Sequence, residues 1–169
     1  MGLLSNTRAK WVIYSLELFI IYILQSTPGL IPAIYGEKPM LVVMCAVSIA
    51  IFEGDVVGMW FGMGAGLLLD VGSTAPFGFY GLLLLIICFV SGLLVITLMR
   101  NNLITALILG FAAVVIISSV QWICFADSGR GNVLFFVKNI FLPRSLYSTA
   151  TMPLFYYFNR AITTRLYDE

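Results

Sequence analysis

Four carboxylates lie within or beside apolar runs: Glu17, Glu53, Asp55 and Asp70. Carboxylates held out of water are the groups that general acid–base chemistry uses, and a close pair is what hydrolysis of a glycoside requires. The spacing speaks against a pair. Asp55 and Asp70 are 15 residues apart on one apolar stretch, which on a helix separates them by ~22 Å. Glu53 and Asp55 flank Gly54 and read as a polar turn between two helices. Glu17 is the costliest of the four, since an acidic group near mid-helix costs roughly 2–3 kcal/mol on insertion scales unless it is paired or hydrated. It has two readings: a Glu hydrogen-bonded inside the bundle, or part of a polar pocket or a contact to a partner helix.

The chain has no His, which removes His-based triads and His-ligated metals. Cys45, Cys88 and Cys124 have no ligand-like spacing and read as small core residues. Gly62-x-Gly64-x-Gly66 has the outline of a phosphate loop, but it sits inside an apolar helix and no Lys-Ser/Thr pair follows. The expectation is therefore no catalytic residue, no cofactor and no metal. An intramembrane enzyme would have to be assembled from Glu17 and polar groups of other spans.

The helix that ends at Asp70 carries the clearest pattern. Gly54, Gly58, Gly62, Gly66 and Asp70 recur at intervals of four, so they form a bare stripe on one helix face. Small residues at this spacing let backbones approach closely in lipid. One reading is intramolecular: the stripe packs on another helix of the chain and Asp70 lies in a wet loop. The other is that the stripe and Asp70 form a surface or cavity used in function, such as an interface for a partner helix. Both can hold together.

Composition sets the class. Of 169 residues, 61% are hydrophobic and 10% charged, with mean hydropathy +1.04, against roughly 25% charged in a soluble domain. This is one polytopic membrane domain over residues 1–169, all-α, with about six transmembrane helices and five as the alternative. The net charge is +1 and no basic run exists, so nucleic acid is not an expected partner.

The first span starts near Trp11 after Arg8 and Lys10. The basic start followed by an apolar core has the outline of a signal peptide, but Glu17 interrupts the core and no small-residue cleavage site precedes Pro28. Lys38-Pro39 opens Met40–Phe52, a run of 13 residues that is short for a span. With the Gly-stripe helix it forms a helical hairpin, spanning or re-entrant. Phe79–Met99 and Leu103–Phe125 are full-length spans. Residues 133–143 read as an interfacial or broken segment leading into a sixth span, Ser145–Phe158, in which Pro153 should produce a kink. With six spans, Arg8, Lys10, Arg100, Arg160 and Arg165 share one side, against Lys38, Arg130 and Lys138, with Arg144 unassigned. The basic excess places both termini in the cytoplasm, with Asp70 facing outward.

The stretch from Lys38 to Gly81 carries a resemblance. Its features are Lys38-Pro39, a short apolar helix, a tight turn, a Gly-rich helix ending Gly66-Leu67-Leu68-Leu69-Asp70, and a Gly/Ser loop with Pro76-Phe77-Gly78. This resembles the MreD family of bacterial rod-shape-determining membrane proteins, as do the chain length and the late Pro153 before an aromatic and basic end. The specific part covers about a quarter of the chain. By matching position, Lys38, Pro39, Gly62, Gly66, Asp70 and Gly78 are the residues carried over. Glu17, and the weak span character of Val133–Arg144, depart from the family pattern.

The resemblance implies a non-enzymatic, multi-pass protein of the bacterial cytoplasmic membrane. It implies membership of the elongation machinery for lateral peptidoglycan. The implied partners are an MreC-like bitopic protein, the RodA glycosyltransferase with its penicillin-binding transpeptidase, the MreB filament indirectly, and membrane lipid. It also implies a fold similar to the substrate-binding subunits of energy-coupling-factor vitamin transporters, and such a transporter subunit is the alternative function. That alternative needs convergent polar groups near Asp70, where the loop 71–78 offers only Ser73 and Thr74.

Overall fold

The computed structural model describes residues 2–27, 29, 39–73, 75–97, 102–125 and 141–167, with side chains described between residues 9 and 124 and from 141 to 164 in those ranges. Lys38, Arg100, Arg130, Lys138 and most of the segment 133–144 lie outside the described residues, and with them the expectation of an interfacial segment there. The described chain is helical throughout: α1 (Gly2–Ser26), α2 (Leu41–Glu53), α3 (Asp55–Val71), α4 (Phe79–Thr97), α5 (Leu103–Phe125) and α6 (Leu142–Tyr167). Three stretches are long and apolar enough to cross a membrane: Ala9–Ser26, Phe79–Thr97 and Leu103–Cys124. Their exposed faces carry large apolar side chains, among them Leu16, Phe19, Leu82, Ile86, Ile104 and Ile108, as a lipid solvent requires.

The short helix α2 is the centre of the bundle. Every residue from Val42 to Ile51 is buried, and α1, α3, α4, α5 and α6 all pack on it. A helix that is apolar all round belongs inside. Protein rather than lipid surrounds it, so its 13 residues need not match the ~30 Å hydrocarbon core.

One residue joins α2 to α3. Gly54 has φ +90°, a left-handed conformation open to glycine at little cost. Its amide closes α2 on Ala50 O at 3.0 Å, and its carbonyl receives the Gly58 amide at 3.0 Å to open α3. At the far end, α6 begins earlier than the sequence suggests. Pro143 falls in its first turn, where a missing N–H costs nothing, and the helix continues through Pro153 to Tyr167.

Candidate functional site

The stripe on α3 is filled by the chain's own helices. A Cβ on Gly58 would stand 2.6 Å from Ala50 Cα of α2. On Gly62 it would stand 2.7 Å from the Cβ and Sγ of Cys88, and on Gly66 it would stand 2.5 Å from Gly81 Cα, both on α4. The approach is reciprocal: a Cβ on Gly92 of α4 would lie 2.6 Å from Gly54 C and Asp55 N. The antiparallel pair α3–α4 is thus held with backbones nearly touching at both ends.

Asp70 finishes this pairing and does not lie in a wet loop; it is 4% exposed. Its Oδ1 accepts the Tyr80 amide at 2.9 Å, and its Oδ2 accepts the Gly78 and Gly81 amides at 3.0 and 3.1 Å. The first amides of a helix have no partner within it, and they form the positive end of its dipole. Asp70 supplies the capping anion of α4 from another helix. Gly78, at φ +96°, turns the chain so that its own amide joins the set. A substrate pocket at Asp70 would have to compete with these three amides.

The same device holds α2. The Val42 amide donates to Gln25 Oε1 of α1 at 3.0 Å, and the Met40 amide donates to Ser148 Oγ of α6 at 2.9 Å. Pro39 is fully buried immediately before them. Arg144 Nη1 donates to Gln121 Oε1 at 3.0 Å, tying α6 to α5 at this end.

The opposite end carries a second polar network. Lys10 of α1 pairs with Glu53 at the end of α2. Tyr14 donates its hydroxyl to Glu53 Oε1 at 2.9 Å and lies 3.1 Å from Thr163 Oγ1 of α6. One turn deeper, buried Asn159 of α6 donates to Ser48 Oγ of α2 at 3.0 Å. In the sequence Glu53 stands in a polar turn, and nothing local singles out Tyr14, Ser48 or Asn159. The available signal was a polar residue inside each apolar run, with Asn159 and Thr163 one helical turn apart.

Glu17 sits between these ends, 7% exposed, and neither carboxyl oxygen has a hydrogen-bond partner among the described residues. The thiol of Cys45 on α2 is its polar neighbour. Its stem borders an apolar groove of about 250 Å³ between α1 and α6, lined also by Ile13, Leu154 and Phe158. On the other side of α1, a groove of about 550 Å³ opens against α3 between Trp11, Ser15, Trp60 and Gly64. Gly64 lies two residues off the stripe on the outer face, and a Cβ there would meet nothing within 4 Å. Among the described residues, no three His, Cys, Asp or Glu side chains are grouped to hold a metal ion.

The chain matches the family described as rod shape-determining protein MreD over residues 5–163. No curated relative and no solved structure matches it, so the likeness to vitamin-transporter subunits gains no support. The match spans nearly the whole chain, and the chain belongs to the MreD family.

Proposed function

We propose that this rod shape-determining membrane protein acts as a non-catalytic scaffold of the elongation complex in the bacterial cytoplasmic membrane, with both termini in the cytoplasm. On this reading it binds an MreC-like bitopic protein within the bilayer. Through that contact it supports the RodA glycosyltransferase and its penicillin-binding transpeptidase, and it reaches the MreB filament indirectly. Three observations support the reading. The family match covers nearly the whole chain. The carboxylates of buried Asp70 and half-buried Glu53 are engaged by the chain's own amides, lysine and tyrosine. What the bundle offers outward is apolar helix surface.

The stripe glycines Gly58, Gly62 and Gly66 are covered by α2 and α4, so a partner helix would need another face. The observation that carries the reading is the groove between α1 and α3, where Gly64 leaves an open backbone between Trp11 and Trp60. A single helix from a bitopic partner suits such a surface. The test is co-purification of the bitopic partner from native membranes in mild detergent. Gly64→Trp should fill the groove and reduce recovery of the partner while leaving the protein folded. Undiminished recovery would remove this groove from the interface. Failure to recover any bitopic partner with the unaltered chain would overturn the scaffold reading itself.

A further inference from the structure

The helix α1 buries one narrow face, made by Tyr14, Glu17, Leu18 and Ile21, whose spacing of three and four residues puts them on one side. Glu17 lies in the middle of that face and midway along the span Ala9–Ser26. It is 7% exposed, and neither carboxyl oxygen has a hydrogen-bond partner among the described residues. By contrast, Asp70 holds three amides, and Glu53 holds Lys10 and Tyr14. An acidic group inside a span is costly unless something pairs with it, and the described chain supplies Glu17 with nothing stronger than the Cys45 thiol beside it, a weak donor.

The groove between α1 and α6 passes over this carboxyl. Its rims are exposed apolar side chains, Leu16 and Ile20 on α1 and Leu154 and Phe158 on α6, and its floor includes buried Glu17 and Phe155. Glu17 is the only polar side chain among the residues that line it. Leu154 stands midway along α6 as Glu17 does along the first span, so the groove opens at mid-depth. Its volume of about 250 Å³ suits one long side chain. The carboxyl is folded inward toward Cys45, and staggered rotamers of its stem are what would turn it to a stronger donor arriving along the groove.

Depth limits what can arrive. The hydrocarbon core is ~30 Å thick, so the middle of a span lies ~15 Å from either headgroup layer. Neither a lipid headgroup nor a dissolved ion resides there, and an acyl chain carries no donor. A polar group is brought to that depth by another transmembrane helix. The apolar rims fit the methylene stem of Lys or Arg, and the acidic floor fits the cationic head. A second copy of this chain does not supply that head. The helices α2 to α5 contain no Lys or Arg, Lys10 is held by Glu53, and α6 carries its arginines in its first and last thirds.

We propose that the groove between α1 and α6 receives a Lys or Arg side chain from a transmembrane helix of a different protein, with Glu17 as its counter-charge. The site lies on the other side of α1 from the groove at Gly64 and does not depend on the assignment made there. The test places the full chain in phosphatidylcholine vesicles with synthetic transmembrane helices of leucine and alanine that carry Lys, Leu or Glu at the centre. Energy transfer between labels on the chain and the peptide measures association. The unaltered chain prefers the Lys peptide to the Leu peptide about tenfold, the size of one polar contact between helices, and rejects the Glu peptide. Glu17→Met abolishes the preference. Leu154→Trp, which fills the groove from an exposed position without changing charge, lowers binding of the Lys peptide, and Gly64→Trp leaves it unchanged. Melting of Glu17→Met and Leu154→Trp no lower than the unaltered chain shows that the loss is not one of fold. Equal binding of the Lys and Leu peptides by the unaltered chain, or a preference that survives in Glu17→Met, overturns the proposal. Full binding in Leu154→Trp, or loss in Gly64→Trp, places the contact outside this groove and overturns the site.

Discussion

Asp70 and Gly66, one turn apart on α3, both meet Gly81. The carboxylate accepts the Gly81 amide at 3.1 Å, and one turn back on α3 a Cβ on Gly66 would stand 2.5 Å from Gly81 Cα. The close backbone contact brings the start of α4 within reach of Asp70, and the carboxylate then satisfies amides that would otherwise face apolar surroundings. Neither feature works without the other: a bulkier residue at 66 lifts the amides away, and a residue at 70 with no acceptor leaves them bare.

Asp70→Ala should therefore destabilise the folded protein rather than act only on a partner. Three amides, two of them in buried bonds, lose their acceptor, a loss on the order of 3 kcal/mol. Asp70→Asn keeps one acceptor oxygen and should cost about 1 kcal/mol, near the value of an ordinary helix cap. Thermal unfolding in detergent measures both. Equal melting of Asp70→Ala and the unaltered chain would show that the cap contributes nothing.

Glycine substitutions on α3 should divide by face. Gly66→Ala meets backbone, which cannot swing aside, and should cost roughly 1–3 kcal/mol as α3 and α4 are forced apart. Gly64→Ala meets nothing and should gain up to about 1 kcal/mol from helix propensity alone. Comparing the two melting temperatures checks the assignment of faces, and similar behaviour at 64 and 66 would contradict it.

The Lys10–Glu53 pair should show strong coupling. Its side chains are 15% and 10% exposed, so Lys10→Met strands a shielded carboxylate and should cost about 3 kcal/mol. Adding Glu53→Leu should restore much of the loss, because the unpaired charge goes with it. A double-mutant cycle in detergent gives the coupling directly, and purely additive losses would mean that the pair is solvated.

Glu17→Met should raise stability. The side chain is buried with both oxygens unpartnered among the described residues, and an apolar residue of similar length removes a cost of roughly 2–3 kcal/mol. A higher melting temperature with impaired cell-shape complementation would mark Glu17 as kept for function. A lower melting temperature would show that its carboxyl makes an interaction on which the fold depends.

Much of this protein was legible from residue types alone. Long continuous apolar runs and scarce charges determined a helical membrane bundle, because such a run satisfies its own backbone in lipid as a helix, whereas a barrel strand would alternate apolar and polar residues. The four-residue interval from Gly54 to Asp70 determined a bare stripe on one helix face, and the segment from Lys38 to Gly81 carried the family. Tertiary structure decided what meets the stripe. Helical periodicity fixes which residues share a face but not which helix lies against it. Only the fold shows α2 and α4 on Gly58, Gly62 and Gly66, with Gly64 left to the outer groove. The destination of Asp70 was hidden for the same reason. A carboxylate at a helix end reads as solvated until the next helix is placed. Its three amide partners lie 8 to 11 residues further on, beyond the reach of any rule about one helix. Asn159 and Ser48 are 111 residues apart, and nothing local could pair them. Short α2 makes the same point. By length it was a marginal span, and it lies at the centre because five other helices cover it.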